Sequence, residues 1–184
     1  VSCTAPTFLH KRFLLEALEA GARNLITDKP VCPTWEDFEA TRDAIRAANA
    51  NAFVTFNHNY MMPTLMLRNL VRKHGLGAVE SISTGFLQSW LMTDPKIQQS
   101  EWRLKDPYGG LTDIGSHAGM LAAFILGQPI EVVRNVSMST AGQHGAQCFD
   151  NGTMDMVFSG GIEGTCCFHQ ALPGHVDDLF AKVS

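Results

Sequence analysis

Asp113 and His117 stand four residues apart at the head of an apolar run that reads as a helix over Asp113–Leu126. Gly127 and Pro129 stop that helix. The spacing puts a carboxylate and an imidazole on one helical face. Oxidising an alcohol to a carbonyl requires removal of the hydroxyl proton as hydride leaves carbon. Neutral imidazole, with an intrinsic pKa of about 6.5, is the usual group for that task. The positive end of the helix dipole favours neutral imidazole, and a nearby carboxylate favours the cation. Asp113 either orients the ring or shares the substrate hydroxyl. A helix-capping aspartate and a half-buried histidine explain the same pair without chemistry.

Asp28-Lys29-Pro30 breaks out of a short strand over Asn24–Thr27. In parallel α/β sheets the carboxyl ends of strands face the ligand crevice, so a lysine there points into a site. Pro30 fixes the local backbone and biases the preceding residues away from helix. Such a lysine donates to a substrate oxygen and stabilises negative charge on it. A solvated turn lysine is the plain alternative.

The elements that must position these groups change character along the chain. Val1–Ala5 reads as a strand running into Pro6, Phe8–Ala20 as a helix stopped by Gly21, and Ala52–Phe56 as a strand covered on both faces. Thr34 caps the intervening helix, with Asp37 three residues on. That helix is expected to bury Phe38, Ile45 and Trp35. Strand, helix, strand, helix, strand is the order of a parallel α/β sheet. Pro63–Lys73 then reads as a helix, Ala78–Gly85 as a strand extending towards Trp90, and Thr93–Tyr108 as a loop. Glu131–Ser139, Thr153–Phe158 and Gly164–Gln170 are strands on short glycine-rich turns, hence antiparallel. The boundary is placed in Asn57–Tyr60, giving segments 1–58 and 59–184.

Other side chains compete for attention. Cys166-Cys167-Phe168-His169 suggests a metal, but strand alternation sends the two thiols to opposite faces. No second cluster supplies the remaining ligands, so no metal is expected. His58 reads as a substrate contact and His175 as a surface group. Met61, Met62 and Met66 read as core filling. Trp90 and Trp102 either wall a sugar site or are simply buried. Cys32 has no base within sequence reach and is not assigned as a nucleophile.

Composition sets the bounds. With 184 residues, 45% of them hydrophobic and 17% charged, the chain can bury a real core. A net charge of −4 without a basic run excludes a general nucleic-acid binder. Five cysteines without a secreted-type framework indicate reduced thiols in a cytoplasmic compartment. The longest apolar stretch, Ala118–Leu126, is too short for a membrane span. Both ends lie within apparent strands, and the chain reads as a fragment without a visible targeting signal.

In order and spacing, several motifs resemble the glucose–fructose oxidoreductase / inositol dehydrogenase (Gfo/Idh/MocA) family. They are Thr4-Ala-Pro-Thr-Phe-Leu-His10, Ala20-Gly21, Asp28-Lys29-Pro30, Trp102-Arg103 and Gly109-Gly110-Leu-Thr-Asp113-Ile-Gly-Ser-His117. The resemblance implies an α/β plus α+β architecture. The carboxyl-terminal part of a Rossmann-type parallel sheet is followed by a mainly antiparallel open sheet packed with helices. It implies an NAD- or NADP-dependent dehydrogenase acting on a hydroxyl carbon of a sugar or polyol. By the same resemblance Lys29, Asp113 and His117 are the catalytic set, His117 being the acid/base. Thr4, Pro6, His10, Asp28, Lys29 and Pro30 line the cofactor, while Asn57, Tyr60, Trp102, Arg103 and His117 lie near substrate. The expected partners are that small molecule and further copies of the chain through the antiparallel sheet, with neither nucleic acid nor membrane.

Two departures qualify this. Asp28 replaces the family's glutamate, one methylene longer. No Gly-x-Gly-x-x-Gly follows a strand, so the pyrophosphate seat at a helix N-terminus is missing and weak nucleotide binding by the bare chain is expected. The alternative functions are a non-catalytic relative serving assembly or ligand binding, and a metal-dependent hydrolase using His58, His117 and His169, for which no ligand spacing argues.

Overall fold

The computed structural model describes residues 1–73, 75, 77–98, 104, 106, 108–141 and 148–184. These fall into two units, Val1–Phe56 and Asn57–Ser184.

In the first unit, β1 (Ser2–Cys3), β2 (Asn24–Asp28) and β3 (Asn51–Thr55) form a parallel sheet in that order. Helices α1 (Thr7–Glu19) and α2 (Trp35–Ala47) supply the crossovers that parallel neighbours require. Thr34 caps α2 as expected, its Oγ1 accepting from the amide of Asp37 at 3.2 Å. Glu36 and Asp37 place negative charge at the positive helix end. Gly21, at φ +90°, takes the left-handed conformation that ends α1. Cys3, Leu14 and Leu25 form the core.

Two expectations fail in this unit. Trp35 is 64% exposed, stacked on Phe38 at the surface instead of buried. The sheet is covered on one face only. Leu25 and Thr27 are buried, whereas Ile26 and its register partner Phe53 are 45% and 49% exposed. An apolar run identifies a strand, but whether both faces are covered depends on the layers that pack there.

The second unit begins with a 3₁₀ turn, Asn57–Tyr60, and α3 (Met62–Arg72). β4 (Ser81–Gln88) leads into two short helices, α4 (Trp90–Thr93) and α5 (Pro95–Gln98). Trp90 thus begins a helix instead of extending the strand. A π-helical turn at Leu111–Gly115 runs into α6 (Ser116–Leu126), which Gly127 closes at φ +69°. β5 (Ile130–Ser139), β6 (Asn151–Phe158), β7 (Glu163–His169) and β8 (Asp177–Val183) complete a sheet ordered β5-β6-β7-β4-β8. It is antiparallel except for the β4–β7 pair, which is parallel.

α6 lies on one face of this sheet. Ala118, Leu121, Ala122 and Ile125 pack against Ile82, Phe86, Met156, Phe158 and Phe168. Only one edge of α3, through Leu67 and Val71, joins that core. Met61, Met62 and Met66 are 51%, 68% and 60% exposed, so they do not fill it. Among the described residues no helix is long and apolar enough to cross a membrane.

The approach to the π-turn leaves no room for a side chain at Gly110. A Cβ there would fall inside the contact shell of the Phe149 carbonyl and 3.0 Å from the Phe168 ring. Gly110→Ala should therefore lose about 1–3 kcal/mol in urea unfolding. Gly119→Ala, where a Cβ meets nothing within 4 Å, should hold or gain stability. Equal midpoints for Gly110→Ala and wild type would refute this packing.

Candidate active site

β2 ends at Asp28, and the chain turns through Lys29 and a cis Pro30. Asp28 Oδ1 accepts from the Lys29 amide at 2.8 Å and from Thr55 Oγ1, on the neighbouring strand, at 2.9 Å. The shorter acid in this family position is thus spent on fixing the turn. Its hold on Lys29 is through the backbone amide.

Thr4 and Pro6 are exposed just beyond β1, the strand next to β2, so both carboxyl-end loops lie at one edge of the sheet. His10 differs. Its ring is 1% exposed, with Nδ1 2.9 Å from the Pro30 carbonyl and Nε2 2.7 Å from the Ala5 carbonyl. The ring ties the two loops together from inside. A histidine flanked by prolines four residues back and twenty on carries no signal that separates lining from tying.

Cys32 lies beyond this turn with Sγ 3.4 Å from Thr41 Oγ1. Burial pushes its thiol upward, the opposite of what a thiolate nucleophile needs.

In the second unit, Asp113 lies in the π-turn and His117 in the first turn of α6. Such π-turns are rare and recur at functional sites. His117 is 6% exposed and packs edge-on against His58 and Phe86, at centroid distances of 4.7 and 5.8 Å. His58 also meets Phe86 edge-on at 5.2 Å. Its backbone carbonyl accepts from Thr64 Oγ1 at 3.0 Å, pinning the 3₁₀ turn to α3. Two rings from two other elements therefore hold the imidazole of His117.

Asp113 Oδ2 accepts from Gln170 Nε2 at 3.1 Å. Gln170 and Phe86 escape a reading by spacing, because each reaches the site from a distant strand. Asn57 and Tyr60 are exposed on the 3₁₀ turn, Tyr60 tilted against Phe124 at 5.5 Å. Trp102 and Arg103 lie outside the described residues.

The Cys166–His169 run behaves as packing. Cys166 is 1% exposed and Cys167 faces the other side of the sheet. Burial first, and then Cys167, push the Cys166 thiol up to about 12. Desolvation lowers His169, opposed by Asp150. Among the described residues no group of three His, Cys, Asp or Glu is placed to hold a metal ion. His175 is paired with Asp178 near the surface.

Comparison with known proteins agrees with this architecture. Residues 64–181 match the family model described as the GFO/IDH/MocA C-terminal domain. Over 131 residues the chain is 28% identical to levoglucosan dehydrogenase of Pseudarthrobacter phenanthrenivorans, covering 70% of this chain and 33% of that protein. Over 114 residues it is 25% identical to glucose-6-phosphate 3-dehydrogenase of Bacillus subtilis, covering 61% and 32%. The alignments thus span about a third of these curated relatives. An NAD binding oxidoreductase from Klebsiella pneumoniae shares the fold with a TM-score of 0.88. Identity there is 24%, over 100% of this chain and 51% of that one.

Proposed function

Because the chain belongs to the GFO/IDH/MocA family, we propose that it supplies the catalytic groups of a sugar or polyol dehydrogenase using NAD or NADP. The observation that carries this reading is the Asp113–His117 pair: an anchored carboxylate and a locked imidazole at the start of one helix. The substrate class follows the relatives, named for levoglucosan and glucose 6-phosphate.

His117 takes the hydroxyl proton during oxidation and returns it during reduction. Asp113, as its partner, favours the protonated imidazole that forms as the proton is taken up. Lys29 donates to the reacting oxygen and stabilises the charge developing on it. When bound, the nicotinamide supplies the hydride acceptor or donor. Thr4, Pro6, Asp28 and Pro30, on the two loops at the carboxyl edge of the parallel sheet, fit its nicotinamide end. The phosphates are not assigned to this chain, which carries no glycine-rich loop. Asn57, Tyr60, Trp102 and Arg103 are assigned to substrate.

All five cysteines are free, which suits a reducing, cytoplasmic compartment. The uncovered sheet face, with Val132 and Phe180 exposed at 47% and 41%, suits pairing with a second copy. Sedimentation at the monomer mass would refute that pairing.

The test is NAD⁺ or NADP⁺ reduction by the complete gene product with levoglucosan, glucose 6-phosphate and myo-inositol as probe substrates. Oxidation of at least one is expected. A folded protein that binds these sugars and oxidises none would favour the binding-module alternative.

A further inference from the structure

Cys166 and Phe168 of β7, and Gln170 just past it, meet the turn that carries Asp113. Cys166 Sγ donates weakly to the Gly115 carbonyl at 3.9 Å. The Phe168 ring occupies the space where a Cβ on Gly110 or Gly115 would sit, at 3.0 and 2.9 Å. Gln170, two residues further and just past the strand, donates from Nε2 to Asp113 Oδ2 at 3.1 Å. In a strand, residues 166, 168 and 170 share one face. That face is a rail along which the π-turn is laid.

The end of the rail is itself fixed. The Gln170 amide donates to the Asp150 carbonyl at 2.8 Å, and its carbonyl accepts from the Leu91 amide at 3.1 Å. Asp150 is fully buried, its carboxylate accepting from the Ala141 amide at 2.9 Å and Asn151 Nδ2 at 2.7 Å. Gln170 therefore presents its side-chain amide from an anchored backbone.

We propose that Gln170 is a positioning residue that acts through Asp113. The terminal torsion of an aspartate is broad and two-fold, so the carboxylate needs an external group to select one orientation. An amide donor does this, and it favours the ionised form by bonding to it. A glutamate or leucine in its place would do neither. The role in turnover rests on the dehydrogenase reading above; the grip on Asp113 does not.

The test pairs two measurements on the complete gene product. The first is the titration of the Asp113 carboxyl, followed by carbon-13 NMR and assigned with Asp113→Asn. Gln170→Leu should move it upward, and Gln170→Glu, of equal size, should move it further by like-charge repulsion. The second is turnover of the best of the three probe sugars. Gln170→Leu should lower it about 10–100-fold, with KM little changed. In the Asp113→Asn background the same change should add nothing.

An unmoved Asp113 titration in both folded variants, or additive losses with Asp113→Asn, would overturn the proposal. Should Gln170→Leu fail to fold, Gln170→Glu alone decides. A shifted titration in a protein that oxidises no probe sugar upholds the grip and removes the dehydrogenase reading.

Discussion

His117→Ala in the complete gene product should lower kcat/KM for sugar oxidation by about 10²–10⁴-fold, the usual worth of a positioned acid/base. The loss should fall mainly on kcat, because the imidazole acts on a proton moved in the transition state. The pH profile separates this role from a packing role. In the wild type, oxidation should rise with pH as the imidazole loses its proton and becomes able to accept another. That limb should vanish in the variant. His117 packs edge-on against His58 and Phe86, so alanine also removes ring contacts. His117→Gln, which keeps a polar side chain of similar reach, serves as the folded control. A variant within threefold of wild type, with the same pH limb, would show that the ring is structural.

The site was legible in the sequence where local spacing decides geometry. Thr34 caps α2 through a bond within its own turn. Cys166 and Cys167 must diverge on any strand, and one is buried while the other is not. What escaped was set by non-local packing. Gln170 reaches Asp113 across 57 positions, through the register of β7 on the π-turn. No spacing rule encodes that register. Likewise Met62, Met66 and Trp35 have core-like side chains, yet they stay exposed because no layer of this chain lies over them. His10 shows the limit most sharply. It sits within a motif that suggests a ligand, and the two carbonyls that claim its ring come from different loops.

The same distinction between backbone and side chain makes Lys29 a clean target. Lys29→Met should lower kcat/KM by about 10²–10³-fold, comparable to losing one donor of an oxyanion hole. The variant keeps the aliphatic stem and the backbone amide. That amide is what Asp28 grips, and Thr55 holds the same carboxylate oxygen from the neighbouring strand, so the turn should survive. Lys29→Arg should rescue poorly although it keeps the charge, because a planar fork does not replace a compact ammonium aimed at one oxygen. A full rescue by arginine would mean that Lys29 supplies only a general positive field. Unchanged kcat/KM in Lys29→Met would remove the residue from the mechanism altogether. Destabilisation without a matching kinetic loss would place its importance in the turn.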